Sequence, residues 1–147
     1  MSVDPSAINA RQAGGLPGLL GIRFVEAGPE RVVAELAIRD EIKTGGIVHG
    51  GTLMAFADTV GATATSVNLP PGAWTTTLES KTNFFAAGRG GVLRAEATPL
   101  HKGRRTQVWQ TRVTDESGRL ISLTTQTQMV ITEPRYTESR RTDGAPG

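Results

Sequence analysis

The stretch from Gly50 to Leu69 constrains this chain more than any other. It holds Leu53, Met54, Ala55, Phe56, Ala57, Val60, Ala62, Ala64 and Val67, so a helix built from it is apolar nearly all round. His49-Gly50-Gly51 opens the stretch and Pro70-Pro71-Gly72 closes it. Its length, ~20 residues, is about what a bilayer core requires. Asp58, Asn68, Ser66 and four threonines (Thr52, Thr59, Thr63 and Thr65) instead mark it as the buried helix of a soluble protein. With no face meant for water, it needs a sheet curled around it and something more over the remainder, for which a second copy of the chain is the simplest cover.

The flanking segments supply the sheet. Gly21–Ala27 and Arg31–Ile38 precede the helix, and in the second Val32, Ala34, Leu36 and Ile38 fall on one side. After it come Thr75–Phe85, Val92–Leu100, Thr106–Thr114 and Arg119–Ile131, rich in Thr, Val, Phe and Trp and separated by glycine-bearing turns. Such short connections favour antiparallel pairing. Asp4-Pro5 starts a short helix that Gly14-Gly15 stops, with Pro17-Gly18 a further break, and Asp40 to Ile47 reads as loop. The expectation is an α+β fold: an antiparallel sheet of five to six strands curled around one long central helix. A chain of 147 residues fits one domain. Residues 1–20 form the N-terminal helix and loop, 21–132 the main domain, and 133–147 a charged, disordered tail in which Arg140-Arg141 has no role.

Several function classes drop out. There is no cysteine, hence no disulfide and no thiolate chemistry. The net charge of +2 gives no case for nucleic acid. The N-terminus lacks the basic and apolar regions of a secretory signal, so a cytoplasmic protein without membrane attachment is expected. The only histidines, His49 and His101, lie far apart, which argues against a metal site, and no nucleophile-elbow motif accompanies them. No metal and no cofactor are expected.

Asp58 is the only ionisable side chain in the helix. A carboxylate in apolar surroundings is costly unless it is paired or used. It faces solvent at a gap in the packing, bonds a nearby backbone amide, or serves as a catalytic base or nucleophile. Gly50-Gly51 either forms a tight turn capped by His49 or presents free helix-start amides to a carbonyl oxygen. Asp58 lies ~12 Å along the helix from those amides at ~1.5 Å per residue, too far to act on one carbonyl. Two antiparallel helices across a dimer axis would bring the Asp58 of one chain to the Gly50 amide of the other. His101-Lys102-Gly103-Arg104-Arg105 is a basic turn, either a solvated hairpin tip or a grip on phosphates. Trp74 and Trp109 read as packing residues.

Gly46-Ile-Val-His49-Gly50-Gly51, the helix aspartate Asp58, the Thr-Leu-Glu-Ser-Lys-Thr-Asn-Phe-Phe strand and the Gly-Arg-Arg turn together resemble the hotdog-fold acyl-CoA thioesterases. The likeness runs from about Gly21 to Ile131 and is nearest to the phenylacetate-degradation type and its hydroxybenzoyl-CoA relatives. It implies that Asp58 activates water or attacks the thioester carbonyl. The Gly50 amide would bind the carbonyl oxygen, with His49 and Gly51 beside it. Thr77, or Thr76 one residue away, would be the strand hydroxyl of the family. Lys43 stands where relatives often carry Asn or Gln, which leaves the positioning role there unfilled or filled differently. Lys102, Arg104 and Arg105 would grip coenzyme A. A homodimer or a dimer-of-dimers tetramer is implied. An enoyl-thioester hydratase of the same fold and a non-catalytic acyl-CoA-binding protein are the other readings of these residues.

Overall fold

A computed structural model describes residues 2–135; of the tail expected from residue 133, residues 136–147 lie outside the described residues. The elements are α1 (Pro5–Gln12), α2 (Leu16–Leu20), β1 (Ile22–Ala27), β2 (Val32–Ala37), β3 (Lys43–Thr44), β4 (Ile47–Val48), α3 (Gly50–Val67), β5 (Trp74–Phe84), β6 (Val92–Lys102), β7 (Thr106–Thr114) and β8 (Leu120–Ile131).

Six strands make one sheet in the order β1-β2-β6-β7-β8-β5, every neighbouring pair antiparallel. The sheet wraps α3, which touches β1, β2, β5, β6, β7 and β8. This is the expected α+β hotdog architecture. The apolar core lies between them. Leu53, Phe56, Val60 and Ala64 of α3 meet Phe24, Val32, Ala34, Leu36, Leu93, Ala95, Ala97, Trp109 and Val113. The inward set of β2 is the one its alternation marks. Val33, on the opposite face, is buried as well. Its cross-strand neighbours are Glu26 and Glu96, and Arg31 pairs with both at 2.6 Å, placing a guanidinium across it.

α1 begins as its sequence demands: Asp4 accepts from Ser6 Oγ at 2.6 Å and caps the helix by accepting from Ser6 N–H at 2.9 Å, and those bonds hold the Asp4 carboxyl below its ordinary range. Ile8 of α1 is in the core, and Asn9 pairs with both backbone groups of Phe24. Two elements depart from the expectation. The Gly14–Leu20 stretch does not stay irregular: Gly15 is the N-cap of α2, Pro17 sits in its first turn, and Gly21, at φ +80°, ends it. The expected loop at Asp40–Ile47 contains a 3-10 turn at Asp40–Ile42 and the ribbon β3/β4, folded about Gly45-Gly46. That ribbon delivers the chain to His49.

Candidate active site

α3 is wrapped incompletely. Leu53, Phe56, Ala57, Val60, Gly61 and Ala64 are buried, whereas Met54 is exposed and Ala55, Asp58, Thr59 and Ala62 are half-buried along one side. Asp58 therefore sits at the edge of the covered surface, beside β5. Thr77 Oγ1 donates to Asp58 Oδ1 at 2.8 Å. Gln126 Nε2 reaches the same oxygen at 3.1 Å and the Asp58 backbone carbonyl at 3.3 Å. Gln128 Nε2 donates to Thr77 Oγ1 at 2.7 Å, which leaves the Thr77 proton for the carboxylate. Thr75 Oγ1 lies 3.0 Å from Gln128 Oε1 and 2.8 Å from Met129 O and can donate to either. One carboxylate oxygen is thus held by two neutral donors, while Oδ2 has no partner among the described residues. An oxygen so oriented and left open can accept a proton or attack a carbon.

The sheet face behind Asp58 is polar. Thr111, Ser122, Thr124, Gln126 and Gln128 are buried, and Thr82 pairs with Thr124 at 2.7 Å. Gln126 packs against α3 at Gly61, where an added Cβ would collide with its amide. Gln126, Gln128 and Thr75 escape the sequence reading. β8 carries Ser122, Thr124, Gln126 and Gln128 on one side and Leu123, Thr125, Thr127 and Met129 on the other. A hydrophobic-inward rule gives no reason to bury the glutamines. The period-two spacing of buried-capable amides opposite a lone helix carboxylate is the signal that could have found them.

At the start of α3, His49 is the N-cap, and its Nδ1 accepts from Gly51 N–H at 2.8 Å. The proton of a neutral His49 ring is therefore on Nε2. The Gly51 amide is occupied, and the Gly50 N–H has no partner among the described residues. The Phe84 ring lies against Gly50, its Cζ 3.3 Å from where a Cβ would stand. Between Gly50 and Asp58 α3 is continuous, so the ~12 Å axial separation holds.

The remaining candidates are spread more widely. Thr77, not Thr76, faces Asp58; Thr76 is exposed opposite Met129. Lys43 is on β3 opposite Val48, its ammonium 3.0 Å from Asp40 Oδ1. Lys102 ends β6 and pairs with Glu30. Arg104 and Arg105 are exposed on the β6–β7 turn, which is tied to β8 by Val130 N–H on Arg105 O at 2.8 Å. Thr106, Met129 and Thr76 form one cross-strand row, so this turn stands two strand spacings, about 10 Å, from Thr76. Trp109 is fully buried and donates to Gln107 Oε1 at 3.1 Å.

Known proteins share this fold. Residues 45–122 match the family described as the thioesterase superfamily. The chain is 34% identical over 115 residues to the 1,4-dihydroxy-2-naphthoyl-CoA hydrolase of Escherichia coli, an alignment spanning 78% of this chain and 85% of that one. Among solved structures, a thioesterase of Haemophilus influenzae superposes with a TM-score of 0.87 at 26% identity, covering 93% of this chain and 97% of its own. The Escherichia coli PaaI protein from the phenylacetic acid degradation operon superposes with a TM-score of 0.77 over 86% of this chain and 89% of its own; at 23% identity it speaks for the fold alone.

Proposed function

Because this chain belongs to the thioesterase superfamily and is a thioester hydrolase, we propose that it cleaves aryl- or medium-chain acyl-CoA to the free acid and coenzyme A, with Asp58 as the catalytic carboxylate. The observation that carries this reading is the pinned, half-open carboxylate of Asp58 on an otherwise apolar helix. A thioester carbonyl is already electrophilic and a thiolate leaves readily, so one carboxylate and one polarising amide suffice.

In the proposed step Asp58 takes a proton from water as the water oxygen bonds to the carbonyl carbon. Alternatively, the carboxylate itself bonds to that carbon and water opens the resulting anhydride. The carbonyl oxygen, negative in the tetrahedral state, accepts from an unpartnered Gly50 N–H. Collapse breaks the C–S bond and releases CoA thiolate, which takes up the proton removed from water and so leaves Asp58 ready for the next turnover. Because Gly50 and Asp58 of one chain are ~12 Å apart, the amide comes from a second copy. The free edge supports that pairing. β5 is an outermost strand of eleven residues with one side unpaired. Leu78 and Phe84 on it, Met129 on β8 and Met54 on α3 are all exposed. Arg104 and Arg105 are assigned to the coenzyme A phosphates. Lys102 is held by Glu30 and contributes less. The N-terminal 1–20 and main 21–132 segments are proposed to act as one unit, since Ile8 and Asn9 anchor α1 to the core.

The test is thiol release across a panel of aryl- and alkyl-CoA thioesters, run with wild type and Asp58→Asn. The wild type releases thiol, and the variant keeps its circular dichroism spectrum while kcat falls by at least ~10². Hydrolysis by Asp58→Asn at the wild-type rate would remove Asp58 from the chemistry.

A further inference from the structure

A cleft of about 520 Å³ opens one helical turn beyond Asp58, between α1, the second half of α3 and the start of β5. Its volume is within the range of small-molecule sites. Ala62 and Ser66 follow Asp58 at one-turn intervals on the same side of α3 and line it, ~6 and ~12 Å along the axis. Thr75, two residues before Thr77 on the same side of β5, lines the opposite wall. An acyl group whose carbonyl is at Asp58 can thus extend into this space.

The polar groups around the cleft select what can enter. Most hydroxyl and N–H donors are already committed. Thr63 Oγ1 accepts from Gln12 Nε2 at 3.0 Å, Ser66 Oγ donates to Ala62 O at 2.9 Å, Trp74 Nε1 donates to Glu133 O at 2.9 Å, and Thr75 serves Gln128 or Met129. Two guanidinium groups are not. Arg11 and Arg135 line the cleft and form no ion pair among the described residues, with Arg135 lying 5.2 Å over the Trp74 ring. A purely alkyl group would strip water from these charges and return nothing. An acyl group ending in an anion would offer these guanidiniums a charged partner.

Resting on the acyl-CoA hydrolase reading above, we infer that this cleft is an acyl subsite for groups ending in a carboxylate, with Arg11 and Arg135 as its specificity-determining residues. The test compares phenylacetyl-CoA with 4-carboxyphenylacetyl-CoA, a pair differing only in the distal carboxylate, by thiol release from the full chain and from Arg11→Gln/Arg135→Gln. Wild type favours the carboxylated ester in kcat/KM by at least ~10-fold, and the ratio falls toward one in the double variant. Hydrolysis without that preference, or a preference the double variant keeps, overturns the subsite and leaves the hydrolase reading standing. No thiol release from either ester, together with none across the aryl- and alkyl-CoA panel, would instead overturn the hydrolase reading. Calorimetric titration with the two product acids then still reads the cleft: tighter binding of the diacid, lost in the double variant, sustains the anion preference, and equal binding overturns it.

Discussion

The neighbours of Asp58 orient it without pairing it with a cation. Thr77 and Gln126 are neutral donors, and both reach the same carboxylate oxygen. Gln126 reaches Asp58 over Gly61, where the helix has no side chain. Gly61→Ala should therefore act on chemistry and stability together. The new methyl displaces the Gln126 amide, and overpacking of this kind costs about 1–3 kcal/mol. Urea unfolding should show that loss, and kcat should fall more than KM rises; an unchanged kcat in folded Gly61→Ala would mean that Gln126 does not position Asp58. At this scale the sequence was informative where a residue contradicts its surroundings. A lone Asp in an apolar helix stands out, and the strand hydroxyl follows from the resemblance to within one residue, as Thr77 or Thr76. Gln126 and Gln128 do not stand out. β8 offers a wholly polar set on one side and a half-apolar set on the other, so a hydrophobic-inward rule buries the wrong one.

Among the elements, α3 and the main strands were legible because periodicity and punctuation agree over long runs: Pro70-Pro71-Gly72 after the helix, glycine turns between the strands. α2 and the β3/β4 ribbon were not. In both, residues that read as breakers take permitted places: Pro17 in a first turn where its missing N–H is not needed, Gly45 and Gly46 at positive φ in a two-residue turn. The β6–β7 turn is an element whose role follows from reach and charge. Arg104 and Arg105 are exposed, while Lys102 is engaged by Glu30. Arg104→Ala/Arg105→Ala should raise KM for CoA esters well above its effect on kcat, since contacts remote from the thioester hold ground and transition states alike. The rise should shrink for pantetheine esters, which lack the nucleotide phosphates, and Lys102→Ala should do less. Equal rises in KM for both ester types would detach this turn from the phosphates.

For the whole molecule, one chain supplies a carboxylate and an unpartnered amide that cannot meet on the same carbonyl. It also presents an unpaired eleven-residue edge strand bearing exposed Leu78 and Phe84. A second copy answers both. Gel filtration with light scattering should give a dimer or a multiple of one. The measurement that bears most directly on the shared site mixes Asp58→Asn chains with Gly50→Pro chains. Proline suits the first position of α3, because His49 at φ −62°, ψ 136° is already extended, as a residue before proline must be. Gly50→Ala is the control, since it keeps the amide and meets the same Phe84 ring. Each homodimer of the mixed pair should be inactive. A heterodimer unites an intact Asp58 with an intact Gly50 amide at one of its two sites, so up to about half of the activity per dimer should return. Heterodimers confirmed by mass that stay inactive, while Gly50→Ala remains active, would contradict a site shared between chains.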